Sequence, residues 1–315
     1  MKKRQALKFI MLNACLWLMA TTTEAQEGLY SKAYGNPENP GIVFLHGGPG
    51  YNAVSFEFTT AQVLADKGFY VVVYDQRGCG RTKTADAPQY TFEEAFNDLL
   101  SLYDTYHLKT ATLVGHSFGG TLGILFAKQY PEKVSHLVLV GSPLSYQMTF
   151  KHIISKSKAI YTESASPQLQ YLELLEKMDT ASLEYSSYSF MHAMSNGFYR
   201  AKSPSEKSKL LNTTLKNHEM APYLAKMTRE PVAGFFANEH YTTLNLQTPL
   251  NELKAKTKVY GIYGTEDGLF DSKQLNLLKA TLGSEHFTTI ENASHSVYID
   301  QQDQFIAQLI AYISK

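Results

Sequence analysis

The run Gly115-His116-Ser117-Phe118-Gly119 has the spacing G-x-S-x-G, and it falls where an apolar, β-rich run from Ala111 to Val114 gives way to a helical stretch beginning at Phe118. In that context a tight strand-to-helix turn presents the Ser117 hydroxyl at a helix N-terminus, and the flanking glycines keep side chains from colliding around it. A serine hydroxyl is a weak nucleophile at neutral pH. It needs a histidine to accept its proton and a carboxylate to orient that histidine. Asp267, in Tyr263-Gly264-Thr265-Glu266-Asp267, follows a second β-rich run and supplies the carboxylate, with Glu266 and Asp271 as rivals. Among 10 histidines, His295 stands in the loop Asn292-Ala293-Ser294-His295-Ser296 between the last strand-like run and the last helical stretch. It is the candidate base, while His46 and His116 are expected to brace their own turns.

His46-Gly47-Gly48-Pro49-Gly50 directly follows another apolar run. Small residues there let backbone N–H groups approach a substrate oxygen. The backbone amides of Gly48 and Phe118 are the candidate oxyanion donors, and Gly47 is placed against the substrate. A phosphate-cradling loop is the rival for such a glycine cluster, but the chain has neither G-x-G-x-x-G nor a Walker lysine.

These residues need a scaffold that delivers loops from several strands to one place. From Gly41 the sequence alternates short β-rich runs (Gly41 to Leu45, Phe69 to Tyr74, Ala111 to Val114, Val134 to Val140) with helical stretches near Ser55 to Lys67, Phe92 to His107 and Phe118 to Tyr130. That alternation predicts a mostly parallel sheet with helices on both faces. It stops at Pro143. Residues 144–256 read as an inserted, mainly helical cap, Tyr-rich and Ser-rich. The sheet resumes at Lys258 to Tyr263, followed by a helix near Ser272 to Leu282, a strand near His286 to Ile290 and a helix from about Gln302 to Ile313. The expected organisation is a leader over 1–25, a first core part over 26–143, the cap over 144–256 and a second core part over 257–315.

The leader is read from Lys2, Lys3, Arg4 and Lys8 ahead of an apolar stretch from Phe9 to about Ala20 and small residues up to Ala25. This is signal-peptide patterning, and the stretch falls short of the ~20 residues a spanning helix needs. Cleavage after Ala25 would send the chain to the periplasm or outside the cell; lipoprotein processing at Cys15 is the alternative. The mature chain would then keep Cys79 as its one cysteine and form no internal disulfide. Lys plus Arg number 29 and Asp plus Glu number 29, so no overall field argues for nucleic acid or an anionic surface. Without clustered Cys/His spacing or H-E-x-x-H, no metal site is expected, and the chemistry needs no cofactor.

The His46 to Gly50 run, Asp75-Gln76-Arg77-Gly78-Cys79-Gly80-Arg81-Thr82 and the Ser117 elbow together resemble the proline iminopeptidase family of serine peptidases. The resemblance covers the core from about Gly41 to Lys315 and implies the α/β-hydrolase fold, whose triad runs nucleophile, acid, histidine in chain order. It also implies a helical cap whose acidic residues bind a peptide's free α-amino group. Ala237-Asn238-Glu239-His240-Tyr241 is similar to the family segment that supplies one, making Glu239 the candidate, although the family glutamate aligns with Asn238. Phe118 stands where the family often has Trp. The Asp75 to Thr82 loop is expected to support the site, with Arg77 or Arg81 in ion pairs. Cap aromatics Phe190, Phe198, Phe235, Phe236 and Tyr241 could line an apolar pocket.

The resulting expectation is an exported aminopeptidase that acts on short peptides through an acyl-enzyme and releases an N-terminal residue, with proline as the candidate. An esterase, lactonase or amidase acting on a small apolar acyl compound is the alternative, because one fold hosts many chemistries on one triad. A ligand-binding protein that has abandoned catalysis is a third class. Covalent labelling of Ser117 by a fluorophosphonate would count against that class.

Overall fold

The computed structural model describes residues 28–83, 87–224 and 226–314; the leader over 1–25, including Cys15, lies outside the described residues. Within the described residues, seven strands form one sheet: β1 (Ser31–Tyr34), β2 (Gly41–Leu45), β3 (Tyr70–Tyr74), β4 (Ala111–His116), β5 (Val134–Val140), β6 (Lys258–Gly264) and β7 (Phe287–Ile290). Their spatial order is β1-β3-β2-β4-β5-β6-β7. Every neighbouring pair is parallel except β1 with β3. This is the α/β-hydrolase architecture anticipated above. The inner strands are near-continuous apolar runs because a parallel sheet is covered on both faces. The two-residue period still sorts them. Ile42 and Phe44 of β2, with Val71 and Val73 of β3, join the core on one face, while Val43, Leu45, Val72 and Tyr74 join the core on the other.

Helices Phe92–Thr105, Phe118–Gln129 and Ser272–Leu282 cover the face of Val43 and Leu45. The segment Val54–Asp66, which is π-helical over Glu57–Ala61, and helix Gln302–Ile313 cover the opposite face. Helix Phe92–Thr105 starts where the Thr91 hydroxyl accepts from the Glu94 amide at 3.1 Å, satisfying one of the donors a helix start leaves open.

Between β5 and β6 the chain builds a cap from helices Tyr146–Glu163, Gln168–Leu175, Leu183–Ser195, Glu206–Lys216 and Arg229–Glu239, with a short turn at Ala221–Leu224. The two ends of this insertion run side by side. Ser145 and Asn245 form an antiparallel bridge, and Leu246 N–H donates to Leu144 C=O at 2.8 Å. Helix Gln247–Leu253 then packs back on the core helices Phe118–Gln129 and Ser272–Leu282.

A buried ionic brace pins the loop after β3. The Asp75 carboxylate accepts from Ala53 N–H and Arg81 N–H, each at 2.8 Å, and pairs with the Arg81 guanidinium at 2.7 Å. Arg81 also reaches Glu57 at 2.7 Å, whose other oxygen accepts from the Tyr30 and Tyr34 hydroxyls. Arg77 pairs separately with Asp98, with Nε 2.8 Å from Oδ2. The sequence predicts an ion pair from Arg77 or Arg81; both form one, and the partners of Arg81, Asp75 and Glu57, are buried.

Candidate active site

Ser117 takes φ 52° and ψ −121°, a conformation that costs an L-residue free energy and marks a sharp turn out of β4. The turn is pinned by its surroundings: Ser117 N–H donates to Val140 C=O at 2.9 Å. The glycines of the pentapeptide are required by contact. A Cβ on Gly115 would lie 2.6 Å from Gly120 Cα, and one on Gly119 would overlap the Leu45 carbonyl. Phe118 is the first residue of the following helix, so its amide belongs to the set that has no intrahelical partner. Opposite, Gly47 approaches so closely that a Cβ there would sit 2.9 Å from Ser117 Cβ. Gly48 has φ 128°, a conformation open to glycine and closed to most side chains. The His46–Gly50 loop therefore lies directly against the elbow.

Asp267 and His295, 28 residues apart in sequence, meet with Oδ2 2.8 Å from Nδ1. Both are buried, at 6% and 4% exposure, which strengthens the pair by excluding water. The other Asp267 oxygen accepts from Leu269 N–H at 3.1 Å, so the carboxylate cannot rotate away. The rival carboxylates are spent elsewhere: Glu266 accepts from Lys202 N–H at 2.5 Å, and Asp271 caps helix Ser272–Leu282 through Gln274 N–H. With Nδ1 facing Asp267, the opposite ring nitrogen of His295 is turned away from the carboxylate, the arrangement a proton-accepting imidazole would need. Gly141, at φ 54°, lies against the pair. A Cβ there would stand 3.0 Å from His295 Nδ1 and 3.3 Å from Asp267 Oδ2.

The two other histidines differ from one another. His46 does brace its own turn, with Nδ1 2.8 Å from Gly47 C=O, and it also accepts from Gln76 N–H at 2.9 Å. His116 reaches across the site instead: its Nε2 is 3.0 Å from the backbone carbonyl of His295, and the two rings lie 4.7 Å apart. Burial holds His116 well below the ordinary imidazole range, so it is neutral and donates from Nε2. The sequence predicts that His116 braces its own turn; its side chain instead bonds a carbonyl 179 residues away and links the elbow to the His295 loop.

Glu239 ends helix Arg229–Glu239, and its Oε1 accepts from Phe92 N–H at 2.6 Å. Neighbouring Asn238 donates to Gln89 C=O at 2.6 Å, so this end of the cap is latched to the segment ahead of helix Phe92–Thr105. Of the cap aromatics, Phe235 and Tyr241 reach Phe118, with ring centroids 5.1 and 5.6 Å away. Phe190 packs on Phe150, and Phe236 packs on His240. Phe198 is buried beside Gly268. Tyr199, which sequence reasoning did not single out, lies with its ring 5.1 Å from that of His295 at 87°. Cys79 is buried, and burial pushes its thiol up to about 12, which leaves it a poor nucleophile.

The sequence profile of the alpha/beta hydrolase fold family matches residues 40–302. The proline iminopeptidase PfmaB of Pestalotiopsis fici is 23% identical over 283 residues, covering 89% of this chain and 94% of that protein. The proline iminopeptidase of Neisseria meningitidis is 36% identical over 114 residues, and this match spans 36% of each chain. Among solved structures, a proline iminopeptidase-related protein of Thermus thermophilus superposes with a TM-score of 0.66 at 21% identity, covering 91% of this chain and 93% of that one. An enol-lactonase of Burkholderia xenovorans superposes with a TM-score of 0.61 at 18% identity, covering 91% and 96%. With that profile spanning most of its length, the chain belongs to the alpha/beta hydrolase fold family, as a serine hydrolase similar to the proline iminopeptidases.

Proposed function

We propose that the protein is an exported aminopeptidase in which Ser117, His295 and Asp267 form the catalytic triad. The observation that carries this reading is the buried 2.8 Å contact of Asp267 with His295 beside a strained serine elbow. Asp267 fixes the His295 tautomer, and the opposite ring nitrogen takes the Ser117 proton as its oxygen attacks the carbonyl of a peptide's first residue. The amides of Gly48 and Phe118 hold the developing oxyanion, and the closeness of Gly47 keeps that carbonyl in place. His295 then protonates the departing amine. Water, deprotonated by the same histidine, cleaves the acyl-enzyme to release the amino acid and restore Ser117. Glu239 anchors the substrate's α-ammonium with the oxygen not engaged by Phe92 N–H. Residues 1–25 act as the export signal, and mass spectrometry of the secreted or periplasmic protein should find Gln26 at its N-terminus.

The second reading, an esterase or lactonase, is favoured by one observation: Asn238 and Glu239 both bond to the segment Gln89 to Phe92, and that structural engagement competes with binding an amine. A panel of prolyl and alanyl naphthylamides, their N-acetylated forms and short-chain nitrophenyl esters separates the two. Cleavage of the free-amine naphthylamides alone supports the aminopeptidase, and ester turnover with every amide untouched supports the second reading. Ser117→Ala should abolish either activity, so full activity in that variant would remove the triad assignment.

A further inference from the structure

We propose that Tyr199, carried by the cap, is a positioning residue for His295, so that the base is aligned for proton transfer only when the cap is seated on the core. The inference rests on the reading of Ser117, Asp267 and His295 as the triad.

The cap segment from Gly197 to Lys202 is bonded to both triad loops at residues adjoining the acid and the base. Phe198 C=O accepts from Gly268 N–H at 2.8 Å, one residue after Asp267. Lys202 N–H donates to the Glu266 carboxylate at 2.5 Å, one residue before it. Tyr199 C=O accepts from the Ser294 hydroxyl at 2.9 Å, one residue before His295. The core contributes both partners' loops but only part of the surface that holds the base. His116 faces the His295 ring at 4.7 Å, Gly141 lies against Nδ1, and Phe270 is more distant at 6.4 Å. Tyr199 adds a near ring contact from the cap, edge-to-face at 5.1 Å, a geometry in which aromatic rings attract.

Close packing enforces the clasp. A Cβ on Gly268 would lie 2.6 Å from Phe198 Cβ, so the acid loop meets the cap without room for a methyl group. The ammonium of Lys156, from the first cap helix, sits 4.5 Å over the Phe198 ring and ties the clasp to the body of the cap. Burial raises the Tyr199 hydroxyl well above its ordinary range, so it remains a neutral phenol that packs and is no base itself. A rotation of the cap would drag Phe198 and Tyr199 with it and remove one wall of the imidazole. Substrate contacts that hold the cap down would then also set the base.

The test uses the mature protein, nitrophenyl acetate as a substrate too small to depend on cap contacts, and the rate at which a fluorophosphonate labels Ser117. Tyr199→Leu should lower kcat and the labelling rate together by about 10- to 50-fold, the scale expected when a reacting group is displaced by under an ångström, with KM changed less than about 3-fold. Tyr199→Phe keeps the ring and should retain at least about half of kcat. Gly268→Ala, which disturbs the clasp and leaves Tyr199 in the chain, should lower kcat in the same way, and circular dichroism of each variant identifies any that is unfolded. A Tyr199→Leu protein that raises KM while keeping kcat and labelling rate would make Tyr199 a substrate wall and overturn the proposal. So would a Tyr199→Phe protein as impaired as Tyr199→Leu. Failure of the wild type to label at Ser117 would instead sink the triad reading, a separate result.

Discussion

Gly141→Ala places one methyl group where Asp267 and His295 meet. At φ 54°, an alanine carries the left-handed penalty of about 1–2 kcal/mol. Its Cβ would lie 3.0 Å from His295 Nδ1, 3.2 Å from Cε1 and 3.3 Å from Asp267 Oδ2. Ordinary carbon contacts need about 3.5 Å or more, so the pair must give by a few tenths of an ångström, at most about half at His295 Nδ1. That approaches the tolerance of about half an ångström within which reacting groups must be held, and displacements of an ångström cost about 100-fold in rate. The expected outcome is a kcat lower by about 10- to 100-fold on the best substrate of the panel, with a loss of about 2–5 °C in Tm from the backbone penalty. Nitrophenyl ester or naphthylamide hydrolysis gives the first number and differential scanning fluorimetry the second, while the rate of fluorophosphonate labelling at Ser117 should fall along with kcat, since that attack needs the same proton transfer. A Gly141→Ala protein with the expected fall in Tm and an unchanged kcat would show that the His295–Asp267 pair is not needed where it stands, and the steric reasoning would be wrong.

Arg81→Met strips the buried Asp75 carboxylate of its paired guanidinium and leaves Glu57 only the more distant Lys32 at 4.0 Å; breaking such a pair costs about 3–5 kcal/mol, so Tm should fall by about 5–10 °C, and an unchanged melt would show that the brace contributes no net stability. Native Cys79 should resist Ellman's reagent at pH 8 and react on unfolding, as mapped on its own peptide, because burial keeps the thiol protonated; rapid native reaction would contradict the burial. His46 and His116 are held below the ordinary histidine range by burial, so the unfolded chain binds protons that the folded one refuses. Stability should therefore be unaffected by these groups above about pH 6.5 and be lost as the pH falls below it, by up to about 1.4 kcal/mol per pH unit for each histidine. His116→Gln, which keeps a donor at the Nε2 position, should flatten the dependence of Tm on pH between 7 and 5; an equally steep slope would place the acid sensitivity elsewhere.

The parallel strands were legible because each is a compact apolar run, and the helices Ser272–Leu282 and Gln302–Ile313 lie where the pattern put them. Strand β1 was not seen in the sequence. Ser31-Lys32-Ala33-Tyr34 is short, polar and partly exposed, as suits a sheet edge, and its signal is too weak to separate from a loop. At the site, the positions of Ser117, Asp267 and His295 could be read from their places after strands. What chain order could not supply was contact across the fold. That Asp267, and neither Glu266 nor Asp271, meets His295 depends on which carboxylate each loop turns inward. The latch of Glu239 to Phe92 and the seat of Tyr199 join residues with no local pattern between them. Gly141 carried a faint signal, a glycine closing a buried strand, that gained meaning once its positive φ was seen beside the base.

The bridge between Ser145 and Asn245 has a consequence for how freely this enzyme can change what it acts on. Opposed residues of an antiparallel pair stand about 5 Å apart, a gap that a two-residue turn can span. Everything between them is therefore a side-loop whose covalent ends meet at one doorway, so adding or removing turns of helix inside it need not alter the spacing of β5 and β6. The entropic cost of a longer loop grows only with the logarithm of its length. The sheet can thus hold its loops in place while the helices above it are exchanged, provided that any replacement re-forms the cap's bonds to the loops after β6 and β7 and to Gly50 and Phe92.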